Sequence, residues 1–271
     1  MLCRFCPCCV VKKTFRPYNG GLLILFIYTM KTHLPPQFER TQILLGDDGI
    51  ANLRGKHVFV AGLGGVGSYC TEALARAGIG RLTLMDHDLV AISNINRQLP
   101  ALLSTVGQSK AELMKARIAD INSDCQVVLI RTFLGPENVH ELVPHDCDFV
   151  IDCIDSMNCK VALVTHSLSL GLNVASSMGA GNKLDPSRIR VADISTTSIC
   201  PLAREMRRRL REAGIQEGVL TVYTDEHPRP PLPPQPVDRG RPRSVNGTIS
   251  YMPPIFGFML AGAVINRLLT Q

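Results

Sequence analysis

The chain has 271 residues, of which 45% are hydrophobic, so it is neither too short nor too polar to bury a sizeable core. The formal net charge of +6 is a mild excess. It is compatible with an anionic ligand such as a nucleotide or RNA, and it singles out neither.

The N-terminal segment differs in composition from the rest. Cysteines crowd its first nine residues as CRFCPCC, yet no second ligand pair follows at zinc-finger spacing. The apolar run LLILFIY is far too short to cross a bilayer, which needs about 20 residues. We therefore interpret residues 1–29 as a disordered extension, or as sequence upstream of a true start at Met30. The remaining cysteines are scattered through apolar stretches, which is typical of a reducing compartment and predicts a cytoplasmic protein.

Strand and helix patterns alternate from about residue 57. In chain order they are the strand HVFVAG, the helix GSYCTEALARAG, the strand RLTLMD, the helix SKAELMKARIADIN, the strand CQVVLIRT, the short helix PENVHELV, the strand DFVIDCID, the helix NCKVALVTHSLSLG, and the strands NVASS and IRVADI. Alternation of this kind predicts an α/β fold with a doubly wound, mostly parallel sheet, as in Rossmann-like domains. We assign residues 30–225 to this domain.

The C-terminal part continues with the helix PLAREMRRRLREAG, which Pro201 opens and Gly214 closes. Residues 226–244 are rich in Pro and Arg and predict a loop that forms neither ladder nor helix. Residues 245–271 end in an apolar helix started by Pro254. A helix that is apolar on every side must be buried, so we expect it in the core of the same domain or at a dimer interface, and not in a membrane.

The stretch AGLGGVGSYC carries a dinucleotide fingerprint, with Gly62, Gly64 and Gly67 directly after a strand. Glycines at these positions let the backbone approach phosphates at a helix N-terminus. Asp86 ends the next strand, where an acidic residue would hold a ribose. NAD and ATP satisfy this pattern equally well.

Three charged residues favour a triphosphate. Arg97 and Lys110 bring two positive charges toward the phosphates, as a departing pyrophosphate requires. Asp155 follows the strand DFVIDCID at the carboxyl edge of the sheet, where a Mg²⁺ ligand would stand. Taken alone, either cation could be a solvated surface charge, and Asp155 could be a helix N-cap.

The motifs GLGGVGS, D-x-D-x-V-x-x-SN-x-NRQ, K-x-E and D-C-x-D-S together resemble the ubiquitin-activating-enzyme-like adenylyltransferases, which include the ThiF, HesA and molybdopterin-synthase-activating enzymes. The resemblance runs from about Phe38 to the C-terminus. It implies adenylation of a carboxylate with Mg²⁺ and ATP and release of pyrophosphate. It further implies phosphates at Gly64 and Gly65, ribose at Asp86, Mg²⁺ at Asp155, and the triphosphate at Asn94, Asn96, Arg97 and Lys110.

The segment FERTQILLG resembles the family segment whose arginine reaches the ATP of the partner subunit, and Arg40 matches that arginine. The resemblance therefore implies a homodimer.

Two substrates remain open within this family. The run SMGAGNKLDPSRIRVADI, followed by PLAREMRRRLR, resembles the tRNA threonylcarbamoyladenosine dehydratases, which activate a carboxylate of a modified base so that it cyclises. Cys200 departs from the acidic residue usual there, and its position at a helix start makes it a candidate nucleophile. The alternative is a small ubiquitin-like or sulfur-carrier protein, whose activating enzymes usually carry two C-x-x-C pairs. This chain has none after residue 30.

Four arginines favour the tRNA substrate. Arg204, Arg207, Arg208 and Arg211 are spaced to share one helix face, and Glu205 and Glu212 are expected to lie off it without neutralising it. Such a stripe predicts contacts with a phosphate backbone, or a solvated face that serves only solubility.

Overall fold

The structure is a computed structural model that describes residues 9–18, 21–30, 35–235 and 243–270. Its centre is a seven-stranded sheet in the order β5-β4-β3-β6-β7-β9-β8. All neighbouring strands are parallel except β8 and β9, which are antiparallel. The strands are β3 His57–Ala61, β4 Arg81–Met85, β5 Gln126–Ile130, β6 Phe149–Asp152, β7 Asn173–Ser177, β8 Ile189–Asp193 and β9 Val219–Thr224.

Helices cover both faces of this sheet. They are α1 Glu39–Arg54, α2 Gly67–Ala77, α3 Lys110–Ile121, α4 Val139–Leu142, α5 Met157–Ser169, α6 Pro201–Glu212 and α7 Met252–Leu269. One apolar core joins the sheet to α2, α3 and α7, and a second joins it to α5 and α6. The predicted doubly wound α/β fold is thereby confirmed.

The strand order reverses next to β3. From β3 the chain moves outward to β4 and β5, and it then returns to place β6 on the other side of β3. The register aligns the last residues of these strands, since Ala61 lies opposite both Met85 and Asp152. Open α/β sheets bind ligands in the crevice at such a switch point.

Helix α7 is the apolar helix that the sequence predicts to be buried. It begins at Met252, so that two prolines occupy its first turn, where a missing N–H costs no hydrogen bond. By length and composition it could span a bilayer, but nine of its residues are buried against the fold. Gly257 permits its close contact with α2, because a Cβ there would lie 2.4 Å from the Val66 carbonyl oxygen. The exposed Phe258 packs edge-on against Tyr69 of α2.

The structure departs from the sequence predictions in four places. The helix α1 and the strand β9 were not expected. Within the segment predicted to be disordered, strands β1 Cys9–Tyr18 and β2 Gly21–Met30 pair in an antiparallel hairpin, while residues 1–8 lie outside the described residues. Within the Pro/Arg-rich segment, β10 Leu232–Gln235 pairs with β11 Arg243–Val245, which corrects the expectation that it forms no ladder. The domain boundaries remain predictions.

Candidate functional site

A cavity of about 870 Å³ opens at the carboxyl ends of β3, β4, β6 and β7. Its walls come from the glycine loop after β3, the loops after β4, β6 and β7, the start of α6, and two segments around residues 228–231 and 246–248. Seven of the predicted site residues line it, namely Gly62, Gly64, Gly65, Asp86, Arg97, Lys110 and Asp155.

The glycines of the loop have different structural roles. Gly62 has a φ of +89°, and a Cβ there would lie 2.8 Å from the Cys153 carbonyl oxygen. Gly67 does not line the cavity, and a Cβ on it would overlap the Gly62 carbonyl oxygen at 1.8 Å. Gly64 is the open one, with its nearest neighbour, Gln98 Nε2, 3.7 Å from a hypothetical Cβ. Gly62 and Gly67 therefore shape the turn, and Gly64 leaves room above it for a ligand.

Asp86 holds two loops together. Its carboxylate is buried and accepts hydrogen bonds from the backbone N–H of Leu63 at 2.6 Å and of Asp88 at 2.8 Å. Each of these oxygens has a further lone pair, so the carboxylate can still accept a hydrogen bond from a ligand hydroxyl.

The two predicted phosphate-binding cations are near one another in the fold but differently placed. Lys110 begins α3 and is buried, and its Nζ lies 2.7 Å from Asp88 Oδ2. Arg97 donates from Nη1 to the carbonyl oxygen of Ser93 at 3.0 Å and to Asn96 Oδ1 at 2.9 Å. Because Asp88 is half exposed, a ligand that enters the cavity can compete with it for Lys110.

Two asparagines predicted to hold the triphosphate lie outside the cavity wall. Asn94 accepts a hydrogen bond from the Ala91 N–H and so closes its own short turn. Asn96 donates from Nδ2 to the Thr248 carbonyl oxygen at 2.9 Å, which ties the loop to the segment before α7. In this geometry both residues build the loop that carries Arg97.

Asp155 is exposed at the cavity, one residue before the N-cap of α5. Among the described residues it has no ion-pair partner and no side-chain hydrogen bond. The turn that carries it depends on Asp152, which is fully buried with Lys160 at 2.7 Å and also accepts from Ser176 Oγ and the Ile154 N–H. Losing one partner of a buried pair typically costs about 3–5 kcal/mol, so this pair fixes the end of β6.

Arg40 and the arginines of the stripe do not line the cavity. Arg40 is exposed in the first turn of α1. On α6, Arg208 pairs with Glu205 at 2.7 Å and also with Glu212. Hydrogen bonds from Arg208 and Arg209 lower the pKa of Glu205 to about 2. The expectation that these glutamates leave the stripe uncompensated is therefore wrong.

The other members of the stripe also differ from the prediction. Arg207 donates to Thr197 Oγ1 and is only partly exposed. Arg204 and Arg211 are exposed and have no carboxylate partner within 4.0 Å among the described side chains. Of the four arginines, only Arg208 has a carboxylate partner among the described side chains, and of the other three Arg204 and Arg211 are exposed.

Sequence reasoning missed several polar residues of the cavity, among them Gln98 and Lys183. Gln98 is buried, and its Oε1 has no hydrogen-bond partner in the described part of the chain. Its place in the NRQ motif could have marked it. Lys183 is buried in the loop after β7, next to Cys200 at the start of α6. Lys183 belongs to the run SMGAGNKLDPSRIRVADI, which could have marked it, but its burial depends on how α6 closes over the sheet.

Fold and site together define a nucleotide-binding α/β protein. Its cavity lies at the switch point of the sheet and is lined by a glycine loop, by cationic side chains and by the carboxylate of Asp155. The chain belongs to the ThiF family, whose model matches residues 38–271. The family resemblance read from the motifs is thereby confirmed.

Named relatives cover most of the chain. It is 47% identical to the tRNA threonylcarbamoyladenosine dehydratase of Bacillus subtilis over 192 residues. These residues cover 71% of this chain and 76% of that protein. It is 31% identical to the sulfur carrier protein ThiS adenylyltransferase of Escherichia coli, over 67% of this chain and 74% of that protein. The crystal structure of the Escherichia coli tRNA N6-threonylcarbamoyladenosine dehydratase in complex with ATP matches with a TM-score of 0.77 at 33% identity, covering 86% of this chain and 94% of that one.

Proposed function

We propose that this chain adenylates the carboxylate of threonylcarbamoyladenosine in tRNA with ATP and then closes the side chain into a cyclic, dehydrated product. The observation that carries the proposal is the cavity itself. It combines a phosphate-type glycine loop with two cations and an uncommitted carboxylate, in a chain 47% identical to a dehydratase of that name.

The nucleotide would lie along the carboxyl ends of β4 and β3. Asp86 would accept from the ribose, and the phosphates would lie over Gly64 and Gly65 at the start of α2, where backbone N–H groups and the helix dipole favour anions. Lys110 would exchange its contact with Asp88 for a phosphate oxygen. Arg97 reaches the same wall, so both cations can offset the charge that builds on departing pyrophosphate.

The residues present also fit Mg²⁺, which prefers oxygen ligands. Asp155 offers a carboxylate that is free of partners among the described residues, and the ligand atoms of Asp86, His87 and Asp88, which line the same cavity, lie within 4.8 Å of one another. A bound Mg²⁺ would supply charge neutralisation on the phosphates. We assign its main protein ligand to Asp155.

The reaction needs no protein nucleophile. A carboxylate oxygen attacks the α-phosphorus, pyrophosphate leaves, and the resulting mixed anhydride remains bound. A nitrogen or oxygen of the same substrate side chain then attacks the acyl carbon and expels AMP, with loss of one proton. Because this ring closure is intramolecular, its effective molarity is high.

A carrier protein with a free C-terminal carboxylate is the alternative substrate, and it would be adenylated by the same cavity. The described side chains include no cysteine cluster that could hold zinc. The N-terminal cysteines lie outside the residues whose side chains the structure describes. The greater likeness to dehydratases favours the tRNA substrate.

Replacing the metal ligand tests the chemistry. The Asp155→Asn variant should form AMP and pyrophosphate at least about 100-fold more slowly than the wild type with threonylcarbamoyladenosine-containing tRNA, because a full charge beside the phosphates is lost. Quantification of both products at saturating ATP measures this loss. Asp120→Asn, an exposed change on α3, is the matched control and should keep full activity. Wild-type rates in Asp155→Asn at ordinary Mg²⁺ would contradict the assignment.

We further propose a homodimer in which Arg40 completes the site of the partner subunit. Arg40 lies outside the cavity wall of its own chain, and exposed Ile43 and Leu44 beside it in α1 provide apolar surface for a second copy.

Mixed dimers test this arrangement. Arg40→Ala and Lys110→Ala subunits should each be inactive alone. After exchange, half of the dimers are mixed and each holds one intact site, so about a quarter of wild-type activity should return. Mixing either variant with itself is the control. If the mixture stays as inactive as its parents, Arg40 does not act across an interface.

We also propose that Arg204 and Arg211 contact tRNA phosphates. Replacing both with Gln should flatten the plot of log affinity against log salt by about 1.5 to 2, since each phosphate contact contributes nearly one unit. The double change Arg208→Gln and Glu212→Gln keeps the net charge and should leave the slope unaltered. Filter binding at several salt concentrations gives the slopes, and equal slopes in the wild type and the Arg204/Arg211 variant would exclude these contacts.

A further inference from the structure

Lys183 is a buried lysine that has no counter-ion among the described side chains. Its side chain lines the cavity although the residue is only 3% exposed. Its Nζ donates to the Gly179 carbonyl oxygen at 3.1 Å and lies 3.8 Å from Cys200 Sγ. No carboxylate of the described side chains lies within 4.0 Å of it, in contrast to Lys110 and Lys160.

An ammonium group has three donors, and here the protein occupies one of them well and a second only with a sulfur atom. Removing a charge from water without pairing it is costly. Burial accordingly lowers the pKa of Lys183, while the adjacent Cys200 and the carboxylates of Glu226 and Asp225 act in the opposite direction. An anion from outside the protein would satisfy the free donor and offset the charge.

The position of Lys183 indicates which part of a ligand it meets. Across the sheet the cavity runs from Asp86 after β4, over the glycine loop after β3, past Asp155 after β6, to Lys183 after β7. In the proposed function, the ribose, the phosphates and the metal lie at the ends of β4, β3 and β6, respectively. The end at β7 remains for the group that attacks the α-phosphorus.

We infer that Lys183 binds the carboxylate of the acceptor substrate and holds it for attack on ATP, an inference that rests on the proposed function. One carboxylate oxygen accepts a hydrogen bond from Nζ, and the other faces the α-phosphorus. Cys200 offers the ammonium only a sulfur atom, which is a weak hydrogen-bond acceptor, whereas a carboxylate at that position would hold it.

This contact acts on the bound substrate before reaction. Formation of the mixed anhydride removes the negative charge of the carboxylate, so the attraction to Lys183 is greatest in the ground state. Loss of the lysine should therefore raise KM or Kd for the acceptor much more than it lowers kcat.

The test uses two probes on the full-length chain, in the presence of an ATP analogue whose α–β bridge is a methylene group and which therefore cannot transfer AMP. These are the free threonylcarbamoyladenosine nucleoside and its uncharged methyl ester, compared by calorimetry. The wild type should bind the acid roughly 10- to 100-fold more tightly than the ester, as expected for one hydrogen bond to a charged group. Lys183→Gln and Lys183→Met should bind both probes alike, while Lys183→Arg should keep the preference.

The controls separate this inference from the proposed function. Lys115→Gln, an exposed change on α3, should keep the preference, and all variants should bind ATP equally well, which also reports their folding. If wild-type turnover of modified tRNA is absent while the acid preference exists and depends on Lys183, the proposed function fails and the carboxylate site remains. If turnover is present and both Lys183→Gln and Lys183→Met still prefer the acid, the inference is overturned.

Discussion

The contact between Gly62 and Gly67 is the constraint on which the rest of the site depends. With a Cβ on Gly67 only 1.8 Å from the Gly62 carbonyl oxygen, no other residue lets β3 turn so tightly into α2. The tight turn aims the start of α2 at the cavity. It also places Val66 where Gly257 of α7 can approach its carbonyl oxygen, so the glycine loop and the C-terminal helix are packed as one unit.

A second constraint concerns the charged side chains around the cavity. Most of the buried charges are held by a partner within the protein, and a bound ligand would supply the partner that the others lack. Asp86 is held by backbone N–H groups, Lys110 by Asp88, and Asp152 by Lys160. The buried Lys183, held only by a carbonyl oxygen and a sulfur atom, and the exposed Asp155 have no ion-pair partner among the described residues. They lie at neighbouring strand ends, which is where a metal and an acceptor carboxylate would meet a triphosphate.

Local patterns were enough to predict most of the sheet. The strands β3, β4 and β6 are short apolar runs that end at Gly or Asp, and these signals depend on few distant contacts. The strand β9, with the sequence VLTVYT, carries a strong β-branched signal, so its omission is a failure to apply the rule. Helix α1 has a weak apolar stripe and a kink at Gly46, with φ +70°, so its pattern alone is poor evidence for a helix.

Side-chain partners could be predicted less well than elements. Spacing places the four arginines of α6 on neighbouring positions, but it does not reveal that Arg208 bends toward Glu205 and Glu212 while Arg207 reaches Thr197. Motifs mark Asp155 and Lys110, whereas the burial of Lys183 arises from contacts between segments far apart in the chain.

The most direct test of the account follows the oxygen atoms of the substrate. Threonylcarbamoyladenosine-containing tRNA whose side-chain carboxylate carries a heavy isotope at both oxygens is incubated with ATP and the enzyme, and the AMP is analysed by mass spectrometry. Attack of the carboxylate on the α-phosphorus, followed by ring closure at the acyl carbon, predicts one heavy oxygen in each AMP formed. Unlabelled AMP, or formation of ADP and phosphate in its place, would contradict adenylation of the carboxylate.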